Sequence, residues 1–310
     1  MRERMRYWIW KVLMFGSALQ GCADNPSDGG TIIAPPPPPI RTIDTEPDWS
    51  PVGNAIAYTH LAQDSIQLQN GVYQIWLIYL QSMMKQFLAE GFDPEWSPDG
   101  KKIAFVKNNN VHVIDVQTNQ ISQLTTWGEC FFPSWSPDGK RIAFDTNYGD
   151  SVGANVIWVM NADGSDKKDI SQHGIGEWRQ PVWSRDGAAI LHLRYLAGAF
   201  SSELFLMDTT GNNAVRLTFN AYTDRDPSWS ADGSKIAWGM YGSSNDTSSG
   251  IWSMNKDGTN QKQILRWGGY PSWSPDGTQI AYYQLNNDGM TGTLWVMNID
   301  GTNLRQLTSP

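Results

Sequence analysis

Pro133-Ser134-Trp135-Ser136-Pro137-Asp138-Gly139-Lys140-Arg141-Ile142-Ala143-Phe144 is one of six variants of the same stretch. Its Trp135 has counterparts at Trp49, Trp96, Trp183, Trp229 and Trp273, at successive intervals of 47, 39, 48, 46 and 44 residues. All six copies keep Pro-x-Trp-Ser-x-x-Gly, and an isoleucine stands seven residues after each Trp: Ile56, Ile103, Ile142, Ile190, Ile236 and Ile280. Each fixed position has a physical reason. The Pro opens a strand, where a missing N–H costs little. The Trp, on that strand, carries ~150–250 Å² of surface to bury. Ser-Pro-Asp-Gly is a tight turn: Pro presets φ, Asp hydrogen-bonds locally and Gly accepts the left-handed conformation. Ile-Ala-Phe then reads as a second, buried strand.

A third apolar run follows in every unit, as in Ile75-Trp76-Leu77, Ile157-Trp158-Val159 and Leu294-Trp295-Val296. A second Gly turn and a short fourth run close it, as in Asn298-Ile299-Asp300-Gly301 and Gln306-Leu307-Thr308. A period in the forties with four short strands per unit predicts an all-β protein, a six-bladed β-propeller of four-stranded antiparallel blades. The composition agrees: 29 Gly, 16 Trp and only 17% charged residues suit many turns and argue against long surface helices.

Trp-Ser-Pro-Asp-Gly-Lys-x-Ile-Ala-Phe followed by Ile-Trp-Val-Met-Asn-x-Asp-Gly resembles the repeat of the TolB propeller, a WD-like family of exported β-propellers. The resemblance covers roughly residues 46–310 and implies a TolB-like propeller without the α/β domain that precedes it in TolB. It also implies that the propeller face is a protein-binding face. The same repeat accompanies peptidases and some polysaccharide lyases, so the fold does not name the function.

Residues 1–21 read as a lipoprotein signal peptide: a basic start (Arg2, Arg4, Arg6), a short apolar run and Leu19-Gln20-Gly21 ahead of Cys22. The run is too short to span a bilayer as a helix. Cys22 is the expected lipidation site, and an acylated N-terminus would hold the chain at a membrane surface. By resemblance to Gram-negative lipoproteins, Ala23 points to the outer membrane, on its periplasmic or cell-surface side. Residues 22–45 follow as a Pro/Gly-rich tether, with Pro35 to Pro39 a stiff spacer, and the propeller is expected over 46–310. With Cys22 acylated, Cys130 is left alone and no disulfide can form within the chain. The leader carries four Lys/Arg and one Glu, leaving 19 basic and 30 acidic residues, a net charge of −11. That balance excludes nucleic acid as the natural partner.

In an up-and-down blade the Ser-Pro-Asp-Gly and Asn-x-Asp-Gly turns share one face, while the irregular loops gather on the other. Function is expected at the loop face, with the uniform turns facing away from it. The residue before each repeat Pro enters the innermost strand and should ring the channel mouth: Glu46, Asp93, Phe132, Gln180, Asp226 and Tyr270. Trp127, Trp178, Arg179 and Trp267, in the blade links, join them as candidate ligand- or partner-binding residues. The competing reading is that these aromatics plug a small channel and cover blade edges. The Asn-x-Asp-Gly-Thr-Asn turns resemble calcium loops, but turn chemistry explains them without the distant acid that a calcium loop supplies. His60 and His192 both follow the second strand and could approach each other at the loop face.

The sequence therefore predicts a monomeric, lipid-anchored, extracytoplasmic binding propeller for a protein or cell-envelope glycan, with no catalytic residue, metal or cofactor. The alternative is a hydrolase or polysaccharide lyase that uses channel-mouth acids and His60 or His192.

Overall fold

The computed structural model describes residues 41–63, 72–149, 154–171, 176–195, 201–242, 247–289 and 291–309. Cys22, Pro35 to Pro39 and His173 lie outside them. Four antiparallel sheets of four strands each stand separately. They are β5 (Phe92–Trp96) to β8 (Ile121–Gln123), β9 (Cys130–Trp135) to β12 (Lys168–Asp169), β13 (Glu177–Trp183) to β16 (Val215–Arg216), and β17 (Thr223–Trp229) to β20 (Lys262–Arg266). The remaining strands share one sheet. In it β1 (Arg41–Trp49) to β4 (Lys85–Glu90) and β21 (Gly269–Trp273) to β24 (Arg305–Gln306) meet at a parallel bridge between Ile43 and Gly292. The architecture is an all-β propeller of four-stranded antiparallel blades.

Strand β1 starts at Arg41, five residues ahead of the boundary expected at 46. Thr42, Ile43 and Thr45 are β-branched and favour extended backbone. Residues 41–45 pair with Gln63 back to Thr59, so this end of the expected tether belongs to the sheet.

Both faces of the inner strands are covered, which explains their continuous apolar runs. The six repeat isoleucines are all 0% exposed. The core is divided into clusters that each join consecutive repeats. Ala57, Ile75 and Leu77 pack on Trp96, Ile103 and Phe105, and Ala143, Ile157 and Val159 on Trp178, Trp183 and Ile190. Trp49, Ile56 and Tyr58 pack on Ala281, Leu294 and Val296, joining the first repeat to the last.

The turn after each Trp is held by its Ser. Ser136 Oγ donates to Asp138 Oδ1 (2.5 Å) and accepts from the Arg141 N–H (2.9 Å), tying the turn to the second strand. Gly187 shows why glycine persists there: its φ is +70°, and a Cβ would lie 3.2 Å from Pro137 Cγ of the preceding repeat. The second turns are equally self-contained. Asp257 accepts from both the N–H and the hydroxyl of Thr259, and Asp300 does the same with Thr302.

Candidate functional site: the central channel

A register shift breaks the pairing of the first two strands in every repeat, on the first strand between Thr45 and Asp48, Phe92 and Glu95, Phe131 and Ser134, Arg179 and Val182, Arg225 and Ser228, and Gly269 and Ser272. The residue before each Pro sits in that bulge with positive φ: Glu46 54°, Asp93 52°, Phe132 50°, Gln180 50°, Asp226 54° and Tyr270 51°. Left-handed backbone is costly for a residue with a side chain, about 1–3 kcal/mol each, and survives only where the surroundings enforce it. Here the bulge turns six side chains toward the axis, where all of them line one cavity of about 340 Å³.

Backbone N–H groups of this ring are taken by neighbouring repeats. Asp93 N–H donates to Glu46 Oε2 (3.0 Å), Gln180 N–H to Asp145 Oδ2 (2.9 Å) and Asp226 N–H to Gln180 Oε1 (2.9 Å). Gln180 Nε2 returns a bond to Asp226 Oδ1 (2.9 Å), and the Tyr241 hydroxyl donates to Asp226 Oδ2 (3.2 Å). Burial pushes Asp226 up to about 6, a rise restrained by the Arg225 guanidinium and these hydrogen bonds. Arg225 itself donates to the Tyr195 hydroxyl (3.4 Å).

A second ring lies deeper, at the residue after each Pro. Trp96 N–H donates to Asp48 Oδ2 (2.6 Å), Trp135 N–H to Glu95 Oε1 (3.2 Å), Trp183 N–H to Ser134 Oγ (3.2 Å) and Trp49 N–H to Ser272 Oγ (2.9 Å). The last of these crosses from the final repeat back to the first. Asp48 and Glu95 keep part of their surface open to the cavity although both lie deep inside the protein. Burial raises Asp48 to about 6. Glu95 is held well above the usual carboxylate range, first by burial and then by the charge of Asp48. The Arg185 guanidinium draws both down.

The cavity does not stop at the mouth. Pro51, Pro98, Pro137, Arg185 and Pro275, all in the turns, border it too. The expectation that the turns face away from the site is thereby corrected: the first strands line the channel along its length and deliver their turns to its far end.

Of the ten residues expected to bind, the six ring residues are brought together and the four from the blade links are not. Trp178 is 2% exposed and faces inward, stacked on His192 (4.7 Å, 2°) with Arg194 on it (4.8 Å). Trp127 stacks on Tyr148 (4.2 Å) and meets Trp158 edge-on (4.8 Å). Arg179 pairs with Glu177 (3.0 Å). Trp267 is 45% exposed, beside Arg266. The two histidines do not meet. His60 Nδ1 lies 2.6 Å from buried Asp44, in the first repeat. His192 is wholly buried in the fourth, and burial depresses it to about 3. Sequence reasoning missed Asp48, Glu95 and Arg185. Their signal was weak: two acids where other repeats carry Ser or Val, and one Arg in place of a turn Pro.

The model of the TolB beta propeller domain matches residues 40–269. The chain belongs to the TolB beta propeller domain family. Its fold is similar to the crystal structure of TolB from Acinetobacter baumannii, with a TM-score of 0.67 and 21% identity over 87% of this chain and 64% of that one. It is also similar to oligogalacturonate lyase from Vibrio parahaemolyticus, with a TM-score of 0.56 and 14% identity over 87% and 79% of the two chains. A curated relative, an uncharacterized peptidase (YuxL) of Bacillus subtilis, is 26% identical over 144 residues, 46% of this chain and 16% of that protein. At these identities the likeness to solved structures shows the TolB-type propeller fold alone.

Proposed function

We propose that the chain is a six-bladed, exported propeller, anchored through Cys22, that binds a protein or a cell-envelope glycan at its channel mouth and loop face. The six-blade count rests on six repeats, with the eight-stranded sheet read as two blades joined at Ile43 and Gly292. Export and anchoring rest on the leader and tether, and the periplasmic side of the outer membrane, or its surface, is the expected address.

One observation carries the binding reading. The only ring position that the repeat leaves variable is also the one forced into left-handed backbone and turned into the cavity. The scaffold repeats, while Glu46, Asp93, Phe132, Gln180, Asp226 and Tyr270 give each blade a different group to present. Such presentation suits recognition of an irregular ligand by a rigid frame. The test is capture of an in-cell partner with Phe132→Ala and Tyr270→Ala. Loss of capture with an unchanged melting curve supports the site, and undiminished capture by both variants refutes it.

A second reading, hydrolase or lyase, draws on the Asp44–His60 pair. A buried carboxylate 2.6 Å from Nδ1 orients the ring and leaves Nε2 to exchange a proton with a bound substrate. His60→Ala should abolish any turnover found on a panel of peptides and oligosaccharides. Turnover unaffected by that variant removes His60 from the mechanism.

A further inference from the structure

The channel contains carboxylates at two depths. Asp226 lies at the mouth with Glu46 and Asp93, and Asp48 and Glu95 lie behind them on adjacent repeats. Against these the cavity wall carries one cation, Arg185. Among the described residues no three acid, His or Cys groups converge to hold a metal ion, so the negative charge is strung along the axis rather than focused.

Two independent features indicate what such a channel takes. Glu95 Oε1 accepts from the Trp135 N–H and the Ser134 hydroxyl, while Oε2 accepts no hydrogen bond from the described residues. A deep carboxylate oxygen without a donor is costly unless a ligand or water supplies one. Arg185 is the second. It replaces a turn Pro, its stem packs beside Gly233 as Pro137 packs beside Gly187, and its charge acts on both Asp48 and Glu95. Its Nη2 reaches the Trp229 carbonyl at 3.4 Å, and no carboxylate lies within ion-pair distance of it among the described residues. The chain thus places one guanidinium at the far end of the channel and leaves the carboxylates open from the mouth.

We propose that the channel binds an elongated organic cation, an ammonium or guanidinium group on a flexible stem, which passes Glu46, Asp93 and Asp226 and seats between Asp48 and Glu95. The inference rests on the reading of the channel as a binding site and names its ligand class. A cavity of about 340 Å³ is at the small end of the ~300–1,000 Å³ typical of ligand sites, which suits one side chain or a linear polyamine. Two sources share this chemistry: a free polyamine, and a Lys or Arg side chain of a bound protein.

Titration calorimetry of the full chain with spermidine, Nα-acetyl-lysine methylamide and calcium chloride tests the proposal. At least one organic cation should bind saturably, the tighter one identifying the source. Glu95→Gln and Asp48→Asn retain the acceptors for the Trp N–H groups, and each should weaken that probe about tenfold or more. Arg185→Ala removes the competing charge and should tighten it several-fold. Absence of binding by both organic probes, wild-type affinity in Glu95→Gln and Asp48→Asn, or calcium displacing the organic cation from those carboxylates would each overturn the inference. Partner capture that survives Glu95→Gln yet fails in Tyr270→Ala would overturn the cation and leave the mouth as a binding site.

Discussion

Individual residues in this propeller divide between those that hold the repeat and those that the repeat merely carries. Trp229 belongs to the first kind: it is 3% exposed, and its indole N–H has no partner among the described residues. Its contribution is packing, so Trp229→Ala should cost ~3–5 kcal/mol while Trp229→Phe costs far less, as chemical denaturation would show. Asp145 and Asp224, both 0% exposed, are pushed by burial to about 7. A raised folded-state value means their contribution is fully present below the unfolded value and is lost as pH climbs through about 7. His192 acts oppositely: depressed to about 3, it costs stability as pH falls below 6.5. The two acids together outweigh the one imidazole between pH 5.5 and 8.5, so the melting temperature should be higher at pH 5.5. Asp145→Asn should flatten that dependence. A melting temperature that rises from pH 5.5 to 8.5 contradicts this account.

At the scale of elements, the turn and the strand explain each other. Gly187→Ala must place an L-residue at φ +70° with Pro137 3.2 Å from the new Cβ, so it should destabilise by ~1–2 kcal/mol or more. The same contact shows that a turn is a joint between neighbouring repeats as well as a reversal within one. Most of this was legible in the sequence, because Pro, Trp, Ser, Gly and Ile each have one physical use at a fixed spacing. The start of β1 was not, since Thr42 to Thr45 lack the repeat signature and gain their partners only from the second strand. Trp178 was misread for a related reason. A link Trp beside Arg and Glu looks exposed, but its pairing opposite Arg194 turns the ring inward onto His192.

For the whole molecule, periodicity alone gave the propeller, and the position before each Pro gave the mouth. The deep ring escaped because Asp48 and Glu95 read as ordinary polar residues of alternating strands. Only when the repeats face one axis do two acids 47 residues apart share a cavity with Arg185. What a repeat encodes is its packing against the next copy, and ligand chemistry resides in its departures. Anchoring is a separate property: a radiolabelled fatty acid should label the chain and be lost in Cys22→Ala, and label persisting on that variant refutes acylation there. The binding claim itself is met most directly by a photocrosslinking amino acid placed in living cells at Phe132, Tyr270 and, for comparison, at Val215 on the outer strand. The account predicts a discrete adduct from both mouth positions and none from Val215; adducts from Val215 alone, or none from the mouth, would contradict it.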